Sequence, residues 1–299
     1  MKVVFHFDGS PALAERAKAL RVELCPESDD ARFEKLLPEI EVLWHVLKPV
    51  TAQVIDRAPK LKLIQKIGSG VNTIDIEAAK RRGIAVCNLP GTNSRAVAEM
   101  TLLLMLACLR RLPQLERAVR EGAWSEAPKL QDHFGELNGR TVGLIGYGEV
   151  PKVLAPILAA MGAEVLYWSR SKANAEFAKV LGESDIVSLH LPLSKDTEKI
   201  IDPRRMKRGA ILVNTARGGL VDEAALVEAL RSGHLGAAGL DVYRQEPLAA
   251  DHPLLALPNV VAAPHVAWLT QETLDRSMEA ALDNVRRLAA GGPLRNRVA

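Results

Sequence analysis

Three residues able to do chemistry each follow a short apolar run: Arg217 in NTARGGLVDE, Glu246 in LDVYRQEP and His265 in APHVAW. An arginine so placed holds a planar carboxylate through two parallel hydrogen bonds. An imidazole exchanges protons near neutral pH, and a glutamate beside it fixes its tautomer and favours the charged ring. Singly, each has a plainer reading: a salt bridge from Arg217 to Asp222 or Glu223, an exposed loop carboxylate, a structural histidine. A fourth feature lies upstream, where Gly146-Tyr147-Gly148 turns an apolar run sharply into a helical stretch, and a second apolar run follows Gly162 at 165–168. Strand, glycine turn, helix and strand in that order hold a pyrophosphate. Gly146 allows the tight turn, Gly148 lets the backbone approach the phosphates, and the helix N-terminus offers unpaired N–H groups and a positive dipole end. The third glycine position is Pro151, and Pro156 sits further along, where it removes a hydrogen bond and should bend the helix.

These residues need strand ends to hold them. Apolar runs at 3–7, 42–46, 61–67 and 84–86 alternate with helical segments at 11–20, 52–57 and 76–82, the last stopped by Gly83. The alternation predicts a mostly parallel sheet with helices on both faces, in a first α/β domain of roughly ninety residues. Residues 93–112 read as one long helix, capped by Asn93 or Ser94 and closed by Arg110, Arg111 and Pro113. It is apolar nearly all round, which predicts burial between domains or subunits. Residues 121–139, with Trp124 and Pro128, read as an irregular arm. The second domain continues through runs at 186–191, 210–213, 237–240 and 260–262, and 271–288 is an amphipathic helix. Sites in open α/β sheets lie at the carboxyl ends of strands. The polar residues there are His190, residues 214–217, residues 241–246 and His265. His6, His45, His133, His234 and His252 read as structural, and His190 as a residue that shapes the pocket.

Composition excludes several classes. With 299 residues the chain has room for two domains, and a formal charge of +3 with scattered basic residues predicts no nucleic-acid partner. Cys25, Cys87 and Cys108 are few, odd in number and without metal-ligand spacing, so reduced thiols and no metal are expected. The opening MKVVFHFDG has too short an apolar run for a signal peptide, and residues 100–109 reach about half the length that spans a bilayer. A cytoplasmic chain with no membrane partner is expected.

Across these motifs the sequence resembles the D-2-hydroxyacid dehydrogenase family. The resemblance runs in chain order through KIGSGVNTID, NSRAVAEMTLLLMLACLRRL, GLIGYGEV, SDIVSLHLPLSKDT, ILVNTARGGLVDEAALVEAL, GAAGLDVYRQEP and PHVAW. It implies two doubly wound parallel-sheet domains, a Rossmann dinucleotide-binding domain (93–269) inserted into a flavodoxin-like substrate domain (1–92 and 270–299). It implies interconversion of small 2-keto acids and D-2-hydroxy acids, with glyoxylate or hydroxypyruvate as first candidates and formate or phosphite as other substrates of related enzymes. Arg217 would bind the carboxylate and carbonyl, His265 would be the acid/base, Glu246 its partner, and the N–H groups of Ser69 and Gly70 would meet the carboxylate. Trp44, within 44–48, and Trp268 would wall the pocket. Cofactor contacts would fall on Gly146, Gly148, Glu149 and Val150, then Ser169 and Arg170, then His190, Pro192 and Thr197. Thr215, Ala216, Asp241 and His265 would complete the set, with Asp241 and the 215–216 backbone on the nicotinamide amide. Residues 170–184 are shorter than is usual in the family, so the third strand of the first Rossmann half, or its helix, should be abbreviated.

Residues 168–172 read WSRSK, with no acid at the strand end to bond a ribose 2′-hydroxyl, while Glu164 lies before the strand. Ser169, Arg170 and Lys172 favour a 2′-phosphate, so NADP(H) is the expected cofactor and NAD(H) the alternative. A homodimer built on 93–124 is expected. The rival reading, a non-catalytic dinucleotide-sensing interaction protein, is opposed by the intact Arg217, Glu246 and His265 set.

Overall fold

A computed structural model describes residues 1–170 and 176–299, so Lys172 lies outside the described residues. The chain divides into two compact units, Met1–Asn93 with Thr270–Ala299, and Ser94–Leu269.

The first unit begins with β1 (Val3–His6), α1 (Pro11–Ala19), β2 (Glu23–Cys25), α2 (Asp30–Leu36), β3 (Val42–His45), α3 (Ala52–Asp56), β4 (Leu63–Lys66), α4 (Ile76–Arg81) and β5 (Ala85–Cys87). The pairings among these five strands are all parallel, in the order β2-β1-β3-β4-β5, which is the flavodoxin-like doubly wound order, and an isolated antiparallel bridge joins Cys87 to Arg297. Side-chain caps start its helices: Ser10, Asp29, Thr51 and Asp75 each accept a first-turn backbone N–H. Two elements have no counterpart in the sequence reading. The three-residue strand β2 and the seven-residue helix α2 are too short to show a period.

The second unit opens with α5 (Ser94–Leu109) and α6 (Leu112–Arg120), followed by a 3₁₀ stretch at Trp124–His133. The long helix ends three residues short of the expected 112, because Arg111 takes a left-handed backbone (φ +52°) and Pro113 enters the first turn of α6. Most of α5 is buried, and the cause lies in its own unit: it packs against the sheet and against the helix Glu149–Ala160. Then come β6 (Thr141–Ile145), α7 (Glu149–Ala160), β7 (Glu164–Trp168), α8 (Phe177–Glu183), β8 (Ile186–Leu189), β9 (Ile211–Asn214), α9 (Glu223–Arg231), β10 (Ala237–Leu240) and β11 (Val260–Ala262). After β11 the chain returns to the first unit with α10 (Gln271–Ala289), where Asn284 donates to Gln65 Oε1 on β4 at 2.7 Å.

The second sheet is parallel throughout, in the order β11-β10-β9-β8-β6-β7. This is a Rossmann sheet with β7 at its edge: among the described residues no third strand pairs beyond it, and only α8 stands between β7 and β8. Apolar clusters cover both faces, one gathering α5 and α7, the other α8 and α9. The register carries the functional consequence. Trp168, Ile145, Leu189, Asn214, Leu240 and Ala262 pair successively into one row across the sheet. Each strand therefore stops level with its neighbours, and the next residues emerge along one edge.

Candidate active site

Gly146 follows β6 with φ +102°, and its N–H donates to Trp168 O at 2.8 Å. A Cβ there would lie 2.6 Å from His190 O, so both the turn and the close approach require glycine. Gly148 caps α7 without a side chain, and a Cβ on it would meet nothing within 4 Å. The first turn of α7 therefore faces open space with its N–H groups uncapped, a cradle that fits a pyrophosphate. Pro151 stands in that first turn, where a helix makes no use of an N–H, so the missing third glycine does not break α7. Pro156 sits mid-helix, yet α7 runs unbroken to Ala160. The Glu149 side chain is turned to Lys152 at 2.6 Å, leaving its backbone, with that of Val150, at the helix start.

Beyond β7, Ser169 is half-buried and Arg170 exposed, while Glu164 lies at the opposite end of the strand. His190 follows β8. Its Nε2 is 3.0 Å from Ser188 Oγ, and burial pushes its pKa down to about 3, so the ring stays neutral. Thr197 departs from the expected cofactor contact. Its hydroxyl donates to Pro192 O at 2.7 Å and accepts from Ser194 N at 2.8 Å, closing a turn from within.

Beyond β9, buried Asn214 brackets the loop that carries Arg217. Its Oδ1 accepts from Ala216 N at 3.0 Å and its Nδ2 donates to Arg217 O at 2.9 Å. Thr101 on α5 donates to Val97 O at 2.7 Å, which spends its proton, so Thr215 donates to Thr101 at 2.9 Å. The half-buried Arg217 guanidinium has its pKa lowered by burial, opposed by the charge of Glu246.

Beyond β10 and β11 the remaining chemistry meets. His265 Nδ1 stands 2.6 Å from Glu246 Oε2, which leaves Nε2 as the ring nitrogen free of that pair. Burial pushes the Glu246 carboxyl up, but the His265 bond, the Tyr243 N–H at 2.9 Å and the Arg217 charge outweigh it and hold the carboxyl below its ordinary value. Buried Asp241 accepts Val266 N at 2.8 Å on Oδ1 and Ala267 N at 2.9 Å on Oδ2, clamping the loop that carries His265. Burial outweighs those two N–H bonds and raises its pKa. His265 itself has a left-handed backbone (φ +59°), a strained conformation held by this clamp.

Arg217, Glu246, His265, Asp241, Thr215, Ala216, His190 and the glycine turn thus share one sheet edge in the second unit. Ser69 and Gly70 lie in the first unit, in the loop after β4, where Asn88 Nδ2 donates to Ser69 O at 2.8 Å. Trp44 is a correction. It is fully buried on β3 with its ring edge-on to Phe5, so it belongs to the core and cannot wall a pocket. Trp268 is 8% exposed, on the His265 loop. The sequence places Asn214 and Tyr243 in the strand-end stretches 214–217 and 241–246 without giving either side chain a role, and it does not single out Thr101. Asn214 carries a signal, since asparagine favours local side-chain bonds to a turn, whereas the Thr101–Thr215 and Tyr243–Ala263 bonds join residues 114 and 20 positions apart.

The model of the D-isomer specific 2-hydroxyacid dehydrogenase NAD binding domain matches residues 102–267. A D-3-phosphoglycerate dehydrogenase of Archaeoglobus fulgidus is 44% identical over 298 residues, covering 95% of this chain. A glyoxylate reductase of Aeropyrum pernix is 38% identical over 303 residues, covering 94% of this chain and 90% of that protein. This chain belongs to the D-isomer specific 2-hydroxyacid dehydrogenase family.

The matched stretch falls on the second unit, and its cradle suits the nicotinamide dinucleotide that the family domain binds. Among solved structures, the NAD-dependent formate dehydrogenase of Staphylococcus aureus in complex with NAD matches at a TM-score of 0.88 and 27% identity, covering 100% of this chain and 99% of that one. The chain spans only 56% of the length of the Archaeoglobus dehydrogenase.

Proposed function

We propose that this 2-hydroxyacid dehydrogenase reduces small 2-keto acids, glyoxylate or hydroxypyruvate first, to D-2-hydroxy acids. The observation that carries the reading is the 2.6 Å His265–Glu246 pair, set on the same sheet edge as Arg217. A nicotinamide dinucleotide held at the glycine turn and the first turn of α7 would supply the hydride chemistry. Arg217 binds the carboxylate and polarises the carbonyl. His265 delivers a proton from Nε2 to the carbonyl oxygen, and Glu246 stabilises the ring's charge before that transfer. The α7 N-terminus and the glycine turn hold the pyrophosphate, and the 215–216 backbone with Asp241 holds the amide end.

NADPH is the preferred cofactor in this reading. Its support is the acid-free end of β7, with Ser169 and Arg170 beyond it. The protein is a homodimer built on 93–124, supported by Leu103, Leu112, Val119 and Trp124, which expose large apolar side chains there. Cys25, Cys87 and Cys108 are free and buried, which supports a cytoplasmic enzyme. No helix among the described residues is long and apolar enough to cross a membrane.

The deciding experiment is a panel of keto acids, with formate and phosphite for the reverse class, run with both reduced and oxidised cofactors. Reduction of glyoxylate or hydroxypyruvate with turnover supports the reading. Dinucleotide binding without turnover on any substrate would replace it by a sensing protein.

A further inference from the structure

Tyr243 touches all three loops that carry Arg217, Glu246 and His265. Its backbone N–H donates to Glu246 Oε1 at 2.9 Å. Its carbonyl lies against Gly218, the neighbour of Arg217, so closely that a Cβ on Gly218 would be 2.1 Å from Tyr243 O. Its hydroxyl is 3.1 Å from Ala263 O and 3.3 Å from Leu240 O. Both partners are carbonyls, which only accept, so the single phenolic proton must point to them. Ala263 stands two residues before His265 and donates its own N–H to Leu240 O at 2.8 Å. The hydroxyl thus closes the β10–β11 edge at the point where the chain turns into its left-handed residue. Burial, with the nearby Asp241 charge, pushes the phenol up to about 12, so it remains a donor across the working range.

We propose that Tyr243 is a positioning residue for the His265–Glu246 pair: its hydroxyl pins the Ala263 carbonyl and with it the His265 backbone, while its N–H aims the Glu246 carboxylate. The proposal rests on His265 being the proton donor of the function given above. Asp241 holds the far side of the same loop through Val266 and Ala267, so His265 is gripped from both flanks. A phenylalanine in place of Tyr243 would fill the same space, yet it would release the N-terminal grip. Ring orientation then loosens while the cofactor cradle, on β6 and α7, is untouched.

The test is Tyr243→Phe in the full chain, which keeps the buried ring and deletes only the donor. Thermal melting checks folding, and NADPH quenching of tryptophan fluorescence checks the cradle. The expected result is unchanged NADPH affinity, a KM for glyoxylate close to wild type, and kcat lower by about fivefold, the worth of one hydrogen bond. On a His265→Ala background the same substitution should cost nothing further, because Tyr243 acts through a ring already removed. Histidine ¹⁵N spectra supply a readout independent of turnover: the His265 ring signals shift in Tyr243→Phe and those of His252 do not. Wild-type kcat with unmoved His265 signals, or an undiminished loss on the His265→Ala background, overturns the proposal. If the wild type reduced no keto acid, the activity reading would fall, and the histidine spectra would still decide for or against Tyr243.

Discussion

A Cβ placed on Gly218 would lie 1.9 Å from the carbonyl carbon of Tyr243. Two backbones from different strand ends therefore meet at a distance that no other residue allows. The neighbours of that contact are Arg217 on one side and the Glu246 loop on the other. Gly218→Ala must push the two loops apart. Because a displacement of about 1 Å at reacting groups costs on the order of 10²-fold, kcat/KM should fall by about that much. Steady-state kinetics check this, with NADPH binding as the control that should hold.

His265→Ala should lower kcat by about 10²–10⁴, the usual worth of general acid–base catalysis, with little change in cofactor affinity. Arg217→Ala should raise the keto-acid KM as well as lower kcat, since its guanidinium serves both binding and polarisation. Equal kcat in wild type and His265→Ala would assign the proton to another group.

The fold should weaken in mild acid. His6 is buried and stacked on Phe33, and burial, with Lys48 nearby, lowers its pKa to about 4. Its unfolded value is about 6.5, so between these values the unfolded chain binds more protons and falling pH favours unfolding. The stabilisation is complete above the unfolded value and is lost as pH falls from there towards 4. His6 alone should account for about 2 kcal/mol between pH 7.5 and pH 5. Urea melts at the two pH values check this, and His6→Leu should show a correspondingly smaller difference.

Arg170→Ala should reduce the preference for NADPH over NADH by about tenfold to a hundredfold, the worth of one charge-assisted contact to the 2′-phosphate. The measurement is kcat/KM for each cofactor in both proteins. An unchanged ratio would mean that Arg170 serves both cofactors alike.

Trp124 is 71% exposed, near exposed Val119 and Leu112 in sequence. Trp124→Glu with Val119→Asp should shift a dimer to monomer at micromolar concentration in light scattering, with the fold intact by circular dichroism. A wild type that is already monomeric would remove the dimer from the proposal.

The sequence by itself determined which residues stand at the strand ends. Arg217, Glu246, His265 and the glycine turn could be read because each follows an apolar run, and in a parallel sheet the loop after such a run opens on the functional edge. The alternation of runs and helical segments likewise determined the fold class. Tertiary structure decided what periodicity cannot carry. A strand buried on both faces has no alternation, so nothing in VLWH showed that Trp44 would point into the core. The break at Arg111 came from a left-handed backbone, and left-handed positions leave no pattern in ordinary residues. Thr197 spent its hydroxyl inside its own turn, as any threonine can. Asp241 and Tyr243 reach residues 20 to 26 positions away, at a meeting set by the level register of β10 and β11. Register is a property of paired strands, and one strand's sequence does not contain its partner.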